Sequence, residues 1–334
     1  MRYWHQRSSA AKAIKGYPDN AKLSKKGVYL MKILVVGAGG IGGFYGAQLH
    51  QVGADITFLL RGKRKQLIDE KGLTIETPKN HFTIFPKTVL ADQLEPIYDL
   101  IILAPKAFDL ADSLNSISKA SSHGMILPFL NGFTHLAVLD QQFGQNRVLG
   151  GVAHIAATIT ESGSVKQLNE MKTLTVGPRN PNQVAVCQDF FQLCNKADFD
   201  SFYRDDIELA LWEKWVFLAT LAGATTICRG SIGDIVATTY GKDLIQQMFH
   251  ECCEIANSLG YTISDQARLK SLEILTKAGS PFTASMLRDL LAGNKNEHEH
   301  ILGELINFAV KNSIECPLLK IAYTHMAVES RHQS

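Results

Sequence analysis

Residues 31–61, MKILVVGAGGIGGFYGAQLHQVGADITFLLR, decide how this chain folds. Lys32–Val36 is a short apolar run rich in β-branched residues, the pattern of a buried strand. Gly37-Ala38-Gly39-Gly40-Ile41-Gly42 follows at once and fits G-x-G-x-x-G. A helical pattern comes next, with Ile41, Phe44, Tyr45 and Leu49 on one face, ending near Gly53. A second strand, Asp55–Leu60, follows. Each motif glycine then has a physical task. Gly37 makes the tight turn, Gly39 lets the backbone approach a pyrophosphate, and Gly42 lets the helix lie close to the strand. The helix start supplies free N–H groups and positive dipole to the phosphates. A bare glycine turn could be structural only, but strand, turn, helix and second strand in this order favour dinucleotide binding.

The end of the second strand selects the dinucleotide. A site for NAD places Asp or Glu there to bond the ribose 2′-hydroxyl. This chain has Leu59-Leu60-Arg61-Gly62-Lys63-Arg64-Lys65 instead. A carboxylate would repel a 2′-phosphate, whereas a guanidinium binds one in bidentate fashion. The expected cofactor is therefore NADPH/NADP+, with Arg61 the leading contact and Lys65 or Arg64 in support. A solvated basic helix start is the plain alternative.

With 334 residues the chain can hold two domains, and its 46% hydrophobic and 20% charged content is that of a soluble globular protein. No apolar run reaches the length of a membrane span. Cys187, Cys194, Cys228, Cys252, Cys253 and Cys316 form no C-x-x-C pair, and they read as reduced thiols of a cytoplasmic protein. Residues 1–30 carry seven Lys or Arg against one Asp, so the rest, with 27 basic and 31 acidic side chains, has a net charge of −4. A mildly acidic body makes nucleic acid a poor partner. Residues 1–30 lack the apolar core of a signal peptide. They read as a basic, disordered extension ahead of Met31, which stands where a start codon would, and their removal is expected to leave folding and activity intact.

From 31 to about 150, strand and helix alternate. Leu73–Glu76 and Phe82–Leu90 read as short strands. Asp99–Ala104 is a continuous apolar run, hence a central parallel strand. Pro105 ends it, and Lys106–Ile117 continues as a helix. Met125–Leu130 is another buried strand, and Val148–Gly151 a further one. Ala153–Thr160, Gly163–Leu168, Thr173–Gly177 and 201–203 read as strands appended to the same sheet, with a helix at Gln183–Cys194. From Ile207 to Glu329 the signal is helical: Ile207–Thr226, Ser231–Ala237, Gly241–Leu259, Ser264–Ala278, Thr283–Leu291, Glu297–Asn312 and Pro317–Glu329. The fold class is α/β: an N-terminal Rossmann-type doubly wound sheet over residues 31–205, then an all-α domain over 206–330. Substrate is expected in the cleft at the carboxyl ends of the strands. The long apolar helices suit a homodimer interface as well as the core of one domain.

Lys106 and Asn131 each follow a central strand directly, which places them at the carboxyl edge of the sheet. Lys106 could meet a carboxylate or carbonyl, or be a surface lysine. Asn131 could bond the nicotinamide ribose or the substrate, or merely make a turn with Gly132. Lys214 lies in LALWEKWVFLATLAGATT, among Trp212, Trp215, Val216, Leu218 and Ala219. Such surroundings pull a lysine pKa toward neutrality, which suits a general acid, unless the side chain snorkels to the surface. Glu297 opens a helix, where the dipole stabilises a carboxylate. His298 and His300 invite a metal, but an i, i+2 pair does not share a helix face and no further ligand pattern appears, so none is expected.

The GAGGIG opening, Pro105-Lys106-Ala107, Leu130-Asn131-Gly132, Leu211-Trp212-Glu213-Lys214, Ser285-Met286-Leu287-Arg288-Asp289 and the following Glu297 resemble ketopantoate reductases, also called 2-dehydropantoate 2-reductases. The resemblance runs from Met31 to about Ala327, with the motifs in the same order. It implies a Rossmann domain joined to a helical domain, use of NADPH, and reduction of a 2-oxo acid in pantothenate biosynthesis. It also implies that Lys214 is the catalytic lysine protonating the alkoxide, that Glu297 assists it, that Lys106 and Asn131 are the cleft residues, and that Ser285 contacts the substrate carboxylate. The chain departs from the pattern at three substrate-side asparagines, whose places are taken by Leu218, Ala222 and Phe282. An apolar wall there points to a more apolar carbonyl substrate as an alternative. A non-catalytic NADP(H) sensor is a second alternative, although it would need neither Lys214 nor Glu297.

Overall fold

A computed structural model describes residues 30–118 and 120–332; the expectation for the basic extension falls outside these. From Met31 onward the described residues belong to one compact unit. The first half is built on β1 (Lys32–Val36), α1 (Gly40–Gln51), β2 (Asp55–Leu59), α2 (Gly62–Lys71), β3 (Leu73–Glu76), β4 (His81–Ile84), β5 (Lys87–Val89), β6 (Leu100–Leu103), α3 (Leu110–Ile117), β7 (Met125–Pro128) and α4 (His135–Phe143). Five of the strands make a fully parallel sheet in the order β5-β2-β1-β6-β7. The order reverses between β1 and β6, and such a switch point opens a crevice at the carboxyl ends of the strands. That crevice is bounded by the residues that follow β1, β6 and β7.

Alternation along β1 explains the two cores beside the sheet. Ile33 and Val35 pack with Phe44, Tyr45 and Phe58 on the α1 side. Leu34 and Val36 pack with Leu114, Ile117 and Leu139 on the side of α3 and α4. Gly42 is required where α1 crosses β1: a Cβ there would stand 2.5 Å from the Gly37 carbonyl oxygen and 3.3 Å from a Val35 methyl.

Three strand expectations need correction. Phe82–Leu90 is not one strand: it splits at Pro86 into β4, antiparallel to β3, and β5, parallel to β2. The later strands are not appended to the parallel sheet. β8 (Gly150–Ile159), β9 (Val165–Gly177) and β10 (Asp200–Tyr203) join β3 and β4 in a second sheet, and α5 (Val184–Cys194) precedes β10. The expected short strands at 163–168 and 173–177 are the two ends of β9. It pairs antiparallel with β8, and in parallel with β3 at one end and β10 at the other. Val148 only bridges to Ile126 at the edge of the parallel sheet, before β8 begins.

Helices follow: α6 (Ile207–Cys228), α7 (Ile232–Val236), α8 (Gly241–Ser258), α9 (Asp265–Leu275), α10 (Ser285–Leu291), a π-helical turn (Glu299–Gly303) leading into α11 (Glu304–Lys311), and α12 (Pro317–His332). α6 serves both halves. Its first turns, Ile207, Ala210 and Leu211, complete the core beneath the parallel sheet. From Trp212 onward it is the centre of the helical core. Trp212 and Trp215 pack with their rings tilted by 39°, and the Trp215 indole N–H donates to the Ile301 carbonyl at 2.9 Å. Buried Arg179 fastens α6 to α4 by donating to Asp140 on one and Glu208 on the other. No helix among the described residues is long and apolar enough to cross a membrane.

Candidate active site

The glycine turn fits the diphosphate of a dinucleotide. Gly37 has φ +89°, and its N–H donates to the Leu59 carbonyl, which docks the turn against β2. A Cβ on Gly39 would meet nothing within 4 Å, so the backbone there is open to an incoming group. Gly39 caps α1 with no side-chain hydrogen bond, which leaves the first N–H groups of the helix for an anion. Gly40 is covered on its other side by the Ala157 carbonyl oxygen of β8, 2.9 Å from where a Cβ would sit. Arg64 ties these parts together. Its guanidinium donates to the Ala38 carbonyl at 3.0 Å and to the Gly163 carbonyl at the β8–β9 turn at 2.6 Å. It therefore braces the glycine turn and is committed to backbone.

The other basic residues are placed differently from one another. Arg61 caps α2 and is exposed, with 77% of its side chain accessible, 3.6 Å from Asp109 and 3.9 Å from Asp112. Lys65 points along its own helix to Asp69. That carboxylate competes with a phosphate for the Lys65 ammonium, as Asp109 and Asp112 do for the Arg61 guanidinium.

Three successive residues after β6 reach across to the segment preceding α11. Lys106 Nζ pairs with Asp289 at 2.9 Å and lies 3.8 Å from Glu297. The Ala107 N–H donates to Glu297 Oε1 at 2.9 Å. Phe108 receives the Lys295 ammonium over its ring at 4.3 Å. Asp289 lies one helical turn after Ser285 on α10, so the two share a face. Glu297 is 8% exposed and sits just before the π turn, which widens the helix next to it.

Lys214 is on α6 facing the same region. Among the described residues no carboxylate lies within ion-pair distance of its ammonium. Burial lowers its pKa from the usual lysine range to about 8, and the negative field of Glu297 partly opposes that fall. Its charge is felt by two histidines, His135 at the start of α4 and His154 on β8. Both have pKa values depressed to about 3, chiefly by burial, and so stay neutral. His135 is 1% exposed and neither ring nitrogen has a hydrogen-bond partner.

Asn131 stands where the sequence placed it, beyond β7, and its carbonyl accepts a hydrogen bond from His300 Nε2 at 2.7 Å. His298 turns instead to the Asn296 carboxamide. The two histidines thus serve separate polar contacts, and among the described residues no three His, Cys, Asp or Glu side chains gather as a metal site.

Of the three apolar replacements, Leu218 and Phe282 are partly exposed at the edge of the helical core, and Phe282 lies 6.3 Å from the Phe217 ring. Ala222 is completely buried. This corrects its assignment to the pocket wall, since it offers no surface to a substrate. Sequence reasoning gave no individual role to Asp289, Glu304 or His154, and weighed His300 only as a metal ligand. Only NKNEHEH held a signal, in its alternation of histidine and carboxylate.

A parallel sheet with an open glycine turn at its switch point, beside a desolvated lysine and a buried carboxylate, defines a nicotinamide-dependent oxidoreductase. Residues 33–181 match the model of ketopantoate reductase PanE/ApbA, and residues 206–329 match that of its C-terminal part. The chain belongs to the ketopantoate reductase family. It is 29% identical over 297 residues to the "uncharacterized oxidoreductase YkpB" of Bacillus subtilis (strain 168), covering 89% of this chain and 98% of that protein. It resembles the crystal structure of 2-dehydropantoate 2-reductase from Geobacter metallireducens, with a TM-score of 0.82 at 25% identity over 89% of this chain and 99% of that one. The fold is also that of D-mandelate dehydrogenase in its ternary structure with NADH and anilino(oxo)acetate: TM-score 0.82, 20% identity, 91% and 99% coverage.

Proposed function

We propose that this enzyme reduces a 2-oxo acid to the 2-hydroxy acid with NADPH, and that 2-dehydropantoate is the first substrate to test. The observation that carries the reading is Lys214: a lysine whose pKa is lowered to about 8 by burial, with Glu297 as its electrostatic counterpart. When bound, the nicotinamide supplies the hydride. The protein's own task is then to hold the carbonyl and deliver one proton to its oxygen. Lys214 is charged below about pH 8, and an ammonium aimed at that oxygen stabilises the developing alkoxide and protonates it. Glu297 keeps part of the positive charge on Lys214 despite the burial. Gly37, Ala38, Gly39, Gly40, Ile41 and Gly42 would hold the diphosphate, and Arg61 the 2′-phosphate. Lys106 and Asn131 stand at the carboxyl edge between the two halves, where Ser285 would meet the substrate carboxylate.

A second substrate reading rests on Leu218 and Phe282. Their exposed carbon surface beside Phe217 suits a 2-oxo acid with an apolar side chain. The deciding experiment is NADPH oxidation by the purified protein against 2-dehydropantoate and a panel of aliphatic and aromatic 2-oxo acids, with Lys214→Ala as control. Turnover that survives in Lys214→Ala refutes the assignment of the proton donor. Absence of turnover with every 2-oxo acid, despite NADPH binding, refutes the reductase reading in favour of a sensor.

A further inference from the structure

His300 stands between two groups that both ask for a hydrogen. Nε2 lies 2.7 Å from the Asn131 carbonyl oxygen; a carbonyl only accepts, so Nε2 carries the hydrogen. Nδ1 lies 3.6 Å from Glu304 Oε1. A neutral imidazole has a single N–H. With that hydrogen given to Asn131, the remaining lone pair would face a carboxylate. The protonated ring keeps the hydrogen bond to Asn131 and gains an ion pair with Glu304, which the neutral ring lacks.

We propose, building on the 2-oxo-acid reductase reading, that His300 is a positioning residue whose imidazolium joins the Asn131 carbonyl to the Glu304 carboxylate. It thereby fixes the turn that carries Asn131 into the cleft. The turn is held close to the ring. Gly132, at φ +79°, lies so close that a Cβ there would be 3.2 Å from His300 Nε2. The charged groups around the ring agree with the assignment. Glu304 on its own helix and Glu297 just before it both favour the cation. On the facing α4, His135, with its ring centre 6.3 Å away, is neutral and contributes no opposing charge at working pH. Burial disfavours the charged ring, but Glu304, the Asn131 carbonyl and Glu297 together outweigh it, and the His300 pKa lies above the usual histidine value. The bridge is therefore complete below that raised pKa and is lost as pH rises through it.

The test pairs a titration with kinetics. In protein labelled at histidine nitrogen, one imidazole should titrate above the ordinary value of 6.5. That signal should vanish in His300→Gln and move down in Glu304→Gln. If every histidine titrates at or below the ordinary value, the charged bridge does not exist. In kinetics, KM for NADPH and for the 2-oxo acid should rise as the bridge is lost, while kcat follows Lys214. In His300→Gln, KM at pH 6 should be raised about tenfold, the worth of one charged hydrogen bond, and should no longer vary with pH. A folded His300→Gln with wild-type KM and pH profile overturns the positioning role. If the wild type turns over no 2-oxo acid, the parent reading fails, and amide exchange then decides for His300. Faster exchange at Gly132–Thr134 in His300→Gln supports the bridge, and unchanged exchange overturns it.

Discussion

Glu297 accepts a hydrogen bond from the Ala107 backbone N–H at 2.9 Å, across the boundary between the parallel sheet and the helices. One carboxylate thus serves two ends. Oε1 holds the strand-end turn, and Oε2 faces the Lys106 ammonium at 3.8 Å. Glu297→Gln keeps an acceptor for Ala107 and loses the charge, whereas Glu297→Ala loses both. The glutamine variant should keep a near-native melting temperature and lose most of kcat/KM. The alanine variant should also melt earlier, by the roughly 1 kcal/mol of a hydrogen bond lost at a partly buried N–H. Equal melting temperatures for the two would show that the Ala107 contact contributes nothing to stability.

The pH profile should report Lys214. As the proton donor it works only when charged, so kcat should be steady below about pH 8 and fall as pH rises through that value. The stability effect has the opposite sense. A lysine with a depressed pKa binds fewer protons folded than unfolded between about 8 and 10.5, so its penalty to the fold is largest at neutral pH and is relieved as pH rises. Lys214→Met should therefore raise the melting temperature at pH 7 while abolishing turnover. A loss of stability in that variant would contradict the desolvated ammonium.

Arg61 and Arg64 should separate in cofactor assays. Arg61→Ala removes an exposed guanidinium and should raise KM for NADPH about ten- to a hundredfold with little change for NADH. Asp109→Asn, which frees Arg61 from a competing carboxylate, should lower KM for NADPH. Arg64→Ala removes the brace between Ala38 and Gly163 and should weaken both cofactors alike. Equal effects of Arg61→Ala on the two cofactors would exclude a 2′-phosphate contact.

Leu218 and Phe282 make the substrate wall testable. Leu218→Asn with Phe282→Asn should improve 2-dehydropantoate relative to apolar 2-oxo acids, by about tenfold in the ratio of kcat/KM. Ala222→Asn should unfold or strain the core instead, because a fully buried methyl has no room for an amide. An unchanged substrate ratio in the double variant would remove both residues from the wall.

The parallel sheet was legible because its strands are buried on both faces and read as unbroken apolar runs; Leu100–Leu103 is the clearest. Lys214 was legible because one charge inside an apolar helix stands out. The second sheet was not, since polar pairs in β9 (Lys166-Gln167, Asn169-Glu170, Lys172-Thr173) break the alternation of a strand and its partners lie far away in sequence. The reading of Phe82–Leu90 as one strand passed over Pro86, which breaks β4 from β5 because proline lacks the N–H that a continuous ladder needs. The cross-cleft contacts were out of reach. Nothing near Lys106 in sequence points to Asp289, and nothing near Asn131 points to His300. His300 itself was considered only as a metal ligand, because its two partners are a distant backbone carbonyl and a carboxylate at i+4.

The pairing of β3 with β9, Ile75 against Val165, has a consequence for synthesis on the ribosome. The β3–β4 hairpin emerges long before its third strand, and the intervening chain must first lay down β5, β6 and β7. Until β9 arrives, β3 presents an unpaired edge to any neighbouring nascent chain. A fragment ending after α4 would keep that edge permanently, so the parallel sheet is poorly suited to expression without residues 150–203, although all of its strands are already present.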